Sequence, residues 1–129
     1  MPAISNYLEQ KILDISLGNT SYTPPSTTYL ALFTSSANLE ANSTADELSG
    51  NGYSRQAISW GTASDGVISN DTAIAFSTAT ADWSAIYGMA IMDASTGGNV
   101  LYWSATAKKE VFNGATLNVA IGDLIITID

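Results

Sequence analysis

The sequence has 129 residues, of which 46% are hydrophobic and only 12% are charged, a balance that predicts one globular domain over residues 1–129. Cysteine and histidine are absent, which excludes disulfides, thiolate metal sites and nucleophile arrangements that depend on histidine. The formal net charge of −8 disfavours binding to nucleic acid, and no apolar run approaches the ~18 residues of a membrane span.

The first predicted element is an amphipathic helix over Tyr7–Leu17. Leu8, Ile12 and Ile15 recur at helical spacing, which places them on one face. Asn6 is predicted to cap the first turn, because its side chain can accept a hydrogen bond from a free backbone N–H. A helix this short is only marginally stable alone in water, so we expect the three apolar side chains to pack on the rest of the protein.

A turn and a buried strand follow the helix. Gly18 is expected to end the helix in the left-handed conformation, and Pro24-Pro25 stiffens the connection. Thr27–Thr34 (TTYLALFT) has β-branched and aromatic residues with apolar side chains on both faces, which predicts a strand covered on both sides. The polar, acidic Ser35–Gly52 is predicted to be a long surface loop, either simply solvated or ordered by a partner.

Apolar and β-branched runs between turn signals predict the remaining strands. They are Tyr53–Trp60, Gly66–Ser69, Thr72–Phe76, Ile86–Met92, Val100–Trp103, Lys108–Phe112, Ala115–Val119 and Leu124–Ile128. Asp93–Asn99 is predicted to be a Gly-rich hairpin loop, and Asn113-Gly114 a two-residue hairpin turn with positive φ at both residues. About eight short strands predict a mainly β protein, an antiparallel, jelly-roll-like β-sandwich with one short N-terminal α-helix.

The same segments carry a family resemblance. The strings SNYLEQKILD, YTPPST, YLALFT, LSGNGYSRQAISW, AFSTATADWSAIYGMAIMDASTGGNVLYW and VFNGATLNVAIGDLIITID occur in this order. In them the chain resembles a family of small tailed-bacteriophage virion structural proteins, often labelled tail-fibre-like or minor structural proteins. The resemblance implies a virion component made in the host cytoplasm, and it brings no catalytic motif to carry over.

Paired carboxylates are the remaining option for acid–base chemistry. Asp65 with Asp71, or Asp82 with Asp93, can be imagined as a glycosidase pair. All four lie in turn-like segments, where aspartate ordinarily hydrogen-bonds the backbone. We therefore expect neither enzymatic activity nor a metal or other cofactor.

A set of charged residues is predicted to bind partners. They are Arg55, Lys108, Lys109, Glu40, Asp46 and Glu47. Arg55 lies between aromatic residues, where a guanidinium can bind a partner's carboxylate or an internal one. Lys108-Lys109 is the one adjacent basic pair in an acidic chain, and it can contact carboxylates of a neighbouring subunit or simply be solvated.

The function predicted from these features is that of a capsid decoration or cement protein on the outside of the phage head. Its expected partners are the major capsid protein and other virion proteins, with self-association into an oligomer, a trimer being the first choice. The alternative is a tail-fibre or tail-tip subunit that recognises a host surface glycan through aromatics such as Trp60, Trp83 and Trp103. A soluble carbohydrate-binding module is a third reading. We expect no nucleic acid and no membrane as partners.

Overall fold

A five-stranded antiparallel sheet forms the centre of the protein, in the order β1-β7-β6-β2-β3. The structure is a computed structural model that describes residues 3–128. In chain order its elements are β1 (Ala3–Ile4), α1 (Asn6–Ser16), β2 (Thr28–Phe33), β3 (Gln56–Ile58), β4 (Val67–Ser69), β5 (Ile74–Ala75), β6 (Ile86–Met92), β7 (Val100–Lys109), β8 (Asn118–Val119) and β9 (Ile125–Thr127).

The interior strand β2, between β6 and β3, is buried on both faces, as the sequence predicts. Leu30 and Leu32 point into the larger of two hydrophobic clusters. Ala31 and Phe33 alternate with them and point into the smaller cluster on the opposite face, which Leu39 of the long loop helps to close. The alternation places every side chain from Leu30 to Phe33 in a core, so β2 is the strand that joins the two halves of the protein.

A two-stranded ribbon covers one face of the sheet. β4 pairs with β9 and β5 pairs with β8, both antiparallel. Backbone hydrogen bonds continue the pairing beyond these strands, from Phe76 N–H to the Leu117 carbonyl at 3.0 Å and from Trp83 N–H to the Val111 carbonyl at 2.9 Å. Residues 66–83 therefore run antiparallel to residues 111–128 along the ribbon. Its inward side chains share the larger cluster with the sheet, so the two layers form a sandwich-like core.

The predicted fold class is confirmed, since the described residues form nine antiparallel strands and one short helix. The second layer is a long, interrupted ribbon, where a jelly roll would have a second broad sheet. The predicted strand Ile86–Met92 is found with the same bounds. The strand that follows is longer than predicted, because β7 stays paired with β6 beyond Trp103, at Ser104, Ala105 and Lys109.

The predicted hairpin around Asn113-Gly114 is wrong in its pairing. The turn itself exists, with Ala115 N–H donating to the Phe112 carbonyl at 2.9 Å. Only Gly114 has a positive φ, 83°, which is the pattern of a type II turn rather than the expected type I′. The flanking segments pair with residues 76–83 of the ribbon instead of with each other. Their true partner lies about thirty to forty residues away in sequence, where local turn chemistry gives no information.

The helix begins one residue earlier than predicted, and Ser5 is its N-cap. The Ser5 hydroxyl oxygen accepts a hydrogen bond from Leu8 N–H at 3.3 Å and donates to the Val100 carbonyl of β7. Asn6, the predicted cap, is the first helical residue, and its N–H donates to the Glu40 carbonyl at 2.9 Å. Ser5 replaces it because Ser5 is fully buried and joins the helix directly to the sheet.

The C-terminal end of the helix also differs from the prediction, because Gly18 is not in the left-handed region. Leu17 ends the helix with φ −126°, and the N–H groups of Leu17 and Gly18 both donate to the Leu13 carbonyl. A Cβ at Gly18 would lie 2.9 Å from the Asp14 carbonyl oxygen. Glycine is therefore required here for close approach to the helix and not for a positive φ. Within residues 3–128, no helix has the length and apolar character that crossing a membrane requires.

The helix packs on β7, and its buried residues lie in its first turns. Leu8 is buried and Ile12 is half-buried, but Ile15 is 50% exposed. The expectation that all three side chains pack inside is thus wrong for Ile15. Helical periodicity shows which residues share a face, but it does not show how far the neighbouring sheet extends beneath that face.

Replacing Leu8 with alanine is expected to lower the free energy of unfolding by about 2–5 kcal/mol, whereas Ile15→Ala is expected to change it by less than about 0.5 kcal/mol. The two substitutions are matched, because both shorten an aliphatic side chain in the same helix and differ mainly in burial. Urea denaturation of the purified variants measures both values. Equal effects would show that the helix is not held by Leu8.

Contacts with the rest of the protein hold the long loop Ser35–Gly52 in place. Leu39 and Leu48 are buried in the two hydrophobic clusters. The Asp46 carbonyl accepts a hydrogen bond from Thr34 N–H at 2.9 Å, and the Leu32 carbonyl accepts one from Leu48 N–H at 3.0 Å. These contacts order the loop without a partner, so neither the solvated nor the partner-ordered alternative describes it completely.

Candidate functional site

Arg55 and Glu47 form a bidentate ion pair inside the protein. Arg55 Nε donates to Glu47 Oε1 and Arg55 Nη2 donates to Glu47 Oε2, each at 2.7 Å. The two side chains are only 4% and 17% exposed. The hydrogen bond to Glu47 raises the pKa of Arg55 above its ordinary value, so the guanidinium stays charged. This geometry joins two of the predicted partner-binding residues to each other.

The remaining Arg55 nitrogen binds the hairpin between β6 and β7. Arg55 Nη1 donates to the Ala94 carbonyl at 2.8 Å and to the Gly97 carbonyl at 2.7 Å. Tyr53 adds a further contact, since its hydroxyl donates to Glu47 Oε1 at 2.8 Å and accepts a hydrogen bond from Leu32 N–H at 3.1 Å. Burial raises the pKa of Tyr53, which therefore stays protonated. The Arg55 network, Arg55 with Glu47 and Tyr53, thus connects the long loop, β2 and the hairpin.

Glu40 and Asp46, the other predicted acidic residues, lie apart from the Arg55 network. Glu40 is exposed and contributes its backbone carbonyl to the start of the helix. Asp46 is half-buried, and its Oδ2 accepts a hydrogen bond from Asn38 Nδ2 at 3.0 Å. Both residues help to shape the loop, and a role for them in partner binding stays a prediction.

Lys108 and Lys109 lie at the end of β7 and are exposed. Lys108 Nζ contacts Glu110 Oε1 at 3.0 Å, and this hydrogen bond raises the pKa of Lys108. Among residues 3–128, no ion pair joins the two lysines to the acidic residues of the long loop. The predicted charged residues therefore do not form one site, and their binding to partners stays a prediction.

Three of the four aspartates considered as acid–base pairs have structural contacts through their side chains. Asp93 closes the β6–β7 hairpin, with Oδ1 accepting from Asn99 N–H at 2.6 Å. Asp82 Oδ1 accepts from Asn113 N–H at 2.7 Å across the ribbon. Asp65 has a positive φ of 52° in a turn, and hydrogen bonds from the hydroxyls of Ser59 and Thr72 lower the pKa of Asp71. In the described part of the chain, no cluster of acidic side chains has the arrangement of a metal site.

The tryptophans contribute mainly to the interior. Trp83 is buried, its ring packs edge-on against Tyr53 and Phe76, and its Nε1 donates to the Asn51 carbonyl at 2.9 Å. Trp60 Nε1 donates to Thr28 Oγ1 at 2.8 Å. Trp103 packs partly buried against the smaller cluster. The ring nitrogens of Trp60 and Trp83 are thus engaged inside the protein, whereas a sugar-binding ring keeps its polar group free for the ligand.

Sequence reasoning did not identify Asn70, which joins the two halves of the ribbon. Its side chain is buried where the β4–β9 pairing gives way to the β5–β8 pairing. Asn70 Nδ2 donates to the carbonyls of Thr72 at 2.9 Å and Ala120 at 3.1 Å, and Oδ1 accepts from Leu124 N–H at 3.0 Å. The amide thus replaces ladder hydrogen bonds that the bend interrupts. The only sequence signal was an asparagine between two short strands, which resembles an ordinary turn.

An exposed apolar surface at the β4–β9 end of the ribbon was also missed. In the register of the ladder, Ile68 and Ile126 face the core, whereas Val67 and Ile125 face outward and are exposed. Ile128 is exposed beside them. The signal was present in LIITI, since a strand with one solvated face is expected to alternate apolar and polar residues.

Between this end of the ribbon and the sheet lies a cleft of about 260 Å³. Its lining is almost entirely apolar and includes Trp60, Tyr102 and Ile128. Partial burial raises the pKa of Tyr102. A lining of this kind accepts aliphatic or aromatic groups better than the hydroxyls of a sugar, because those hydroxyls would lose their hydrogen bonds to water.

Comparison with known protein families shows the family of this chain. The family model described as podophage GP4 fiber I protein gp80 matches residues 3–127. No curated protein matches the sequence. The match confirms the resemblance to phage virion structural proteins and favours a structural role. The chain therefore belongs to the podophage GP4 fiber I protein gp80 family and is a structural component of the bacteriophage virion.

Proposed function

We propose that the protein is a subunit of a podophage fibre and acts without catalysis, through contacts with other virion proteins. The observation that carries the proposal is the match to a fiber I protein family over residues 3–127, which is nearly all of the described chain. The exposed apolar surface around Val67, Ile125 and Ile128 supports it, because a subunit buried in an assembly keeps such a surface for its neighbours.

The internal contacts of the charged residues support the same role. The Arg55 network and the aspartates Asp82 and Asp93 stabilise this fold, because their side chains are engaged in contacts inside the protein. A protein built in this way works by presenting a rigid surface. Self-association, with a trimer as the first choice, belongs to the proposal because closed symmetric oligomers are common among structural subunits.

Capsid decoration is the second candidate. The observation that favours it is the compact, two-layer packing of residues 3–128, in which no described element projects as a shaft. A small compact unit is well suited to bind the outside of a shell. The family name outweighs this observation, so we place decoration second.

Locating the protein on purified particles separates the two roles. Gold-labelled antibody against the protein is expected to mark the tail fibres, and quantitative mass spectrometry is expected to find far fewer copies than of the major capsid protein. Label spread over the head, with copy numbers close to those of the capsid subunit, would replace the fibre role with decoration.

A further inference from the structure

The strand β9 has one unpaired edge. On the side of β4, Ile128 N–H donates to the Gly66 carbonyl at 2.8 Å and Asn70 N–H donates to the Leu124 carbonyl at 3.2 Å. Alternate residues of an antiparallel strand direct their backbone groups to opposite sides. The N–H and C=O groups of Ile125 and Thr127 therefore point away from β4. Among residues 3–128, no strand pairs with that side of β9.

A second apolar cleft, of about 150 Å³, lies along this free edge. One wall is formed by Leu124, Ile125 and Ile126, and the other wall belongs to the sheet, where Met89 and Tyr102 are only half-buried. The ribbon thus leaves part of the inner face of β6 and β7 uncovered. A further strand beside β9 would cover it and extend the second layer of the sandwich.

Although β9 is only three residues long, its edge lacks several of the features by which proteins usually protect an exposed strand. Within Ile125–Thr127 there is no lysine, proline or bulge, and Ile125 is 48% exposed. The other edge of the ribbon is protected, because Val67 exchanges backbone hydrogen bonds with Ser64 and Ser69 accepts one from Gly61. The contrast between the two edges indicates that the β9 edge is kept open for a partner.

We propose that β9 accepts an extended apolar segment of a second virion protein as an added strand. Its backbone would pair with Ile125 and Thr127, and alternate side chains would enter the cleft against Met89 and Tyr102. The inference rests on the proposed role as an assembling fibre subunit, and it adds the surface and the kind of partner.

Charge favours a partner with basic residues beside its apolar segment. Asp123 lines the cleft, within a chain of net charge −8. A second copy is a poor match, because it brings the same negative charge and has four basic residues in all. Of these, Arg55 is buried and Lys108 is paired with Glu110. A strand with lysine or arginine at its ends complements the edge.

Incorporation of two matched variants into phage particles tests the edge. Thr127→Pro removes the outward N–H and leaves the hydrogen bonds to β4 in place, whereas Thr127→Ala keeps that N–H. We expect at least tenfold fewer copies per particle for the proline variant and wild-type numbers for the alanine variant, by quantitative mass spectrometry. Both purified variants are expected to keep the wild-type unfolding midpoint in urea. Full incorporation of a folded Thr127→Pro protein would overturn the proposal.

Photo-cross-linking in assembled particles identifies the occupant without disturbing the edge. With p-benzoylphenylalanine at position 125, we expect a cross-link to an apolar segment of another virion protein that has lysine or arginine at its ends. The same probe at position 15, on the exposed part of the helix, is the control and is expected not to reach that segment. Cross-links from position 125 to copies of this chain alone, or to nothing, overturn the proposed occupant. Gold label on the fibres without the cross-link would contradict the β9 proposal but leave the fibre role intact. Cross-linked protein on heads would support the β9 proposal but contradict the fibre role.

Discussion

Replacing Asn70 with alanine is expected to lower the free energy of unfolding by about 2–4 kcal/mol. The substitution removes three hydrogen bonds, to Thr72, Ala120 and Leu124. The Leu124 N–H is buried and loses its partner, and an unpaired buried donor is costly. Urea denaturation followed by tryptophan fluorescence measures the change.

Asn113→Ala is the matched control for this variant. Asn113 is exposed in the turn of the ribbon, and its contact to Asp82 uses the backbone N–H, which alanine keeps. Its free energy of unfolding is expected to stay within about 0.5 kcal/mol of the wild type. Should the two variants unfold at the same urea concentration, the bend in the ribbon would not depend on the Asn70 amide.

Breaking the Arg55 network is expected to have an effect of similar or larger size. Arg55→Met should lower the free energy of unfolding by about 3–5 kcal/mol, because it leaves the Glu47 carboxylate with little solvent and no counter-charge. The Ala94 and Gly97 carbonyls lose their donor as well. Thermal unfolding monitored by circular dichroism provides the measurement.

An exposed ion pair on the same protein provides the comparison. Lys108→Met removes the contact to Glu110, where both side chains are about half exposed and solvent screens the charges, and should lower stability far less than Arg55→Met does. The double variant Arg55→Met with Glu47→Gln should recover part of the loss, because it removes the unpaired charge. If Arg55→Met were as mild as Lys108→Met, the buried pair would contribute little to stability.

Sequence patterns predicted the elements that local chemistry determines. The strand β2 was predictable because Leu30–Phe33 is apolar on both faces, and the β6–β7 hairpin because Gly97 and Gly98 supply positive φ in its loop. The helix was found for the same kind of reason, with an error of one residue at its cap.

The remaining features depend on contacts between distant residues. The extension of β7 consists of small and polar residues, which form a strand only because they pair with β6. The Asn70 side chain has a structural role only because the backbone of Ala120 and Leu124, in the other strand of the ribbon, lies within hydrogen-bonding distance. The pairing of Arg55 with Glu47 was one of two alternatives left open, since composition does not tell an internal carboxylate from a partner's.

The long pairing of residues 66–83 with residues 111–128 has a consequence for the order of folding. The β6–β7 hairpin is local and can form early during translation. The ribbon can form only after its second strand has been synthesised. Until then the larger cluster lacks one layer and the inner face of the sheet is open. Among residues 3–128, β9 is the last strand to be synthesised, so the edge proposed to bind a partner forms only after the other strands of the core have been made.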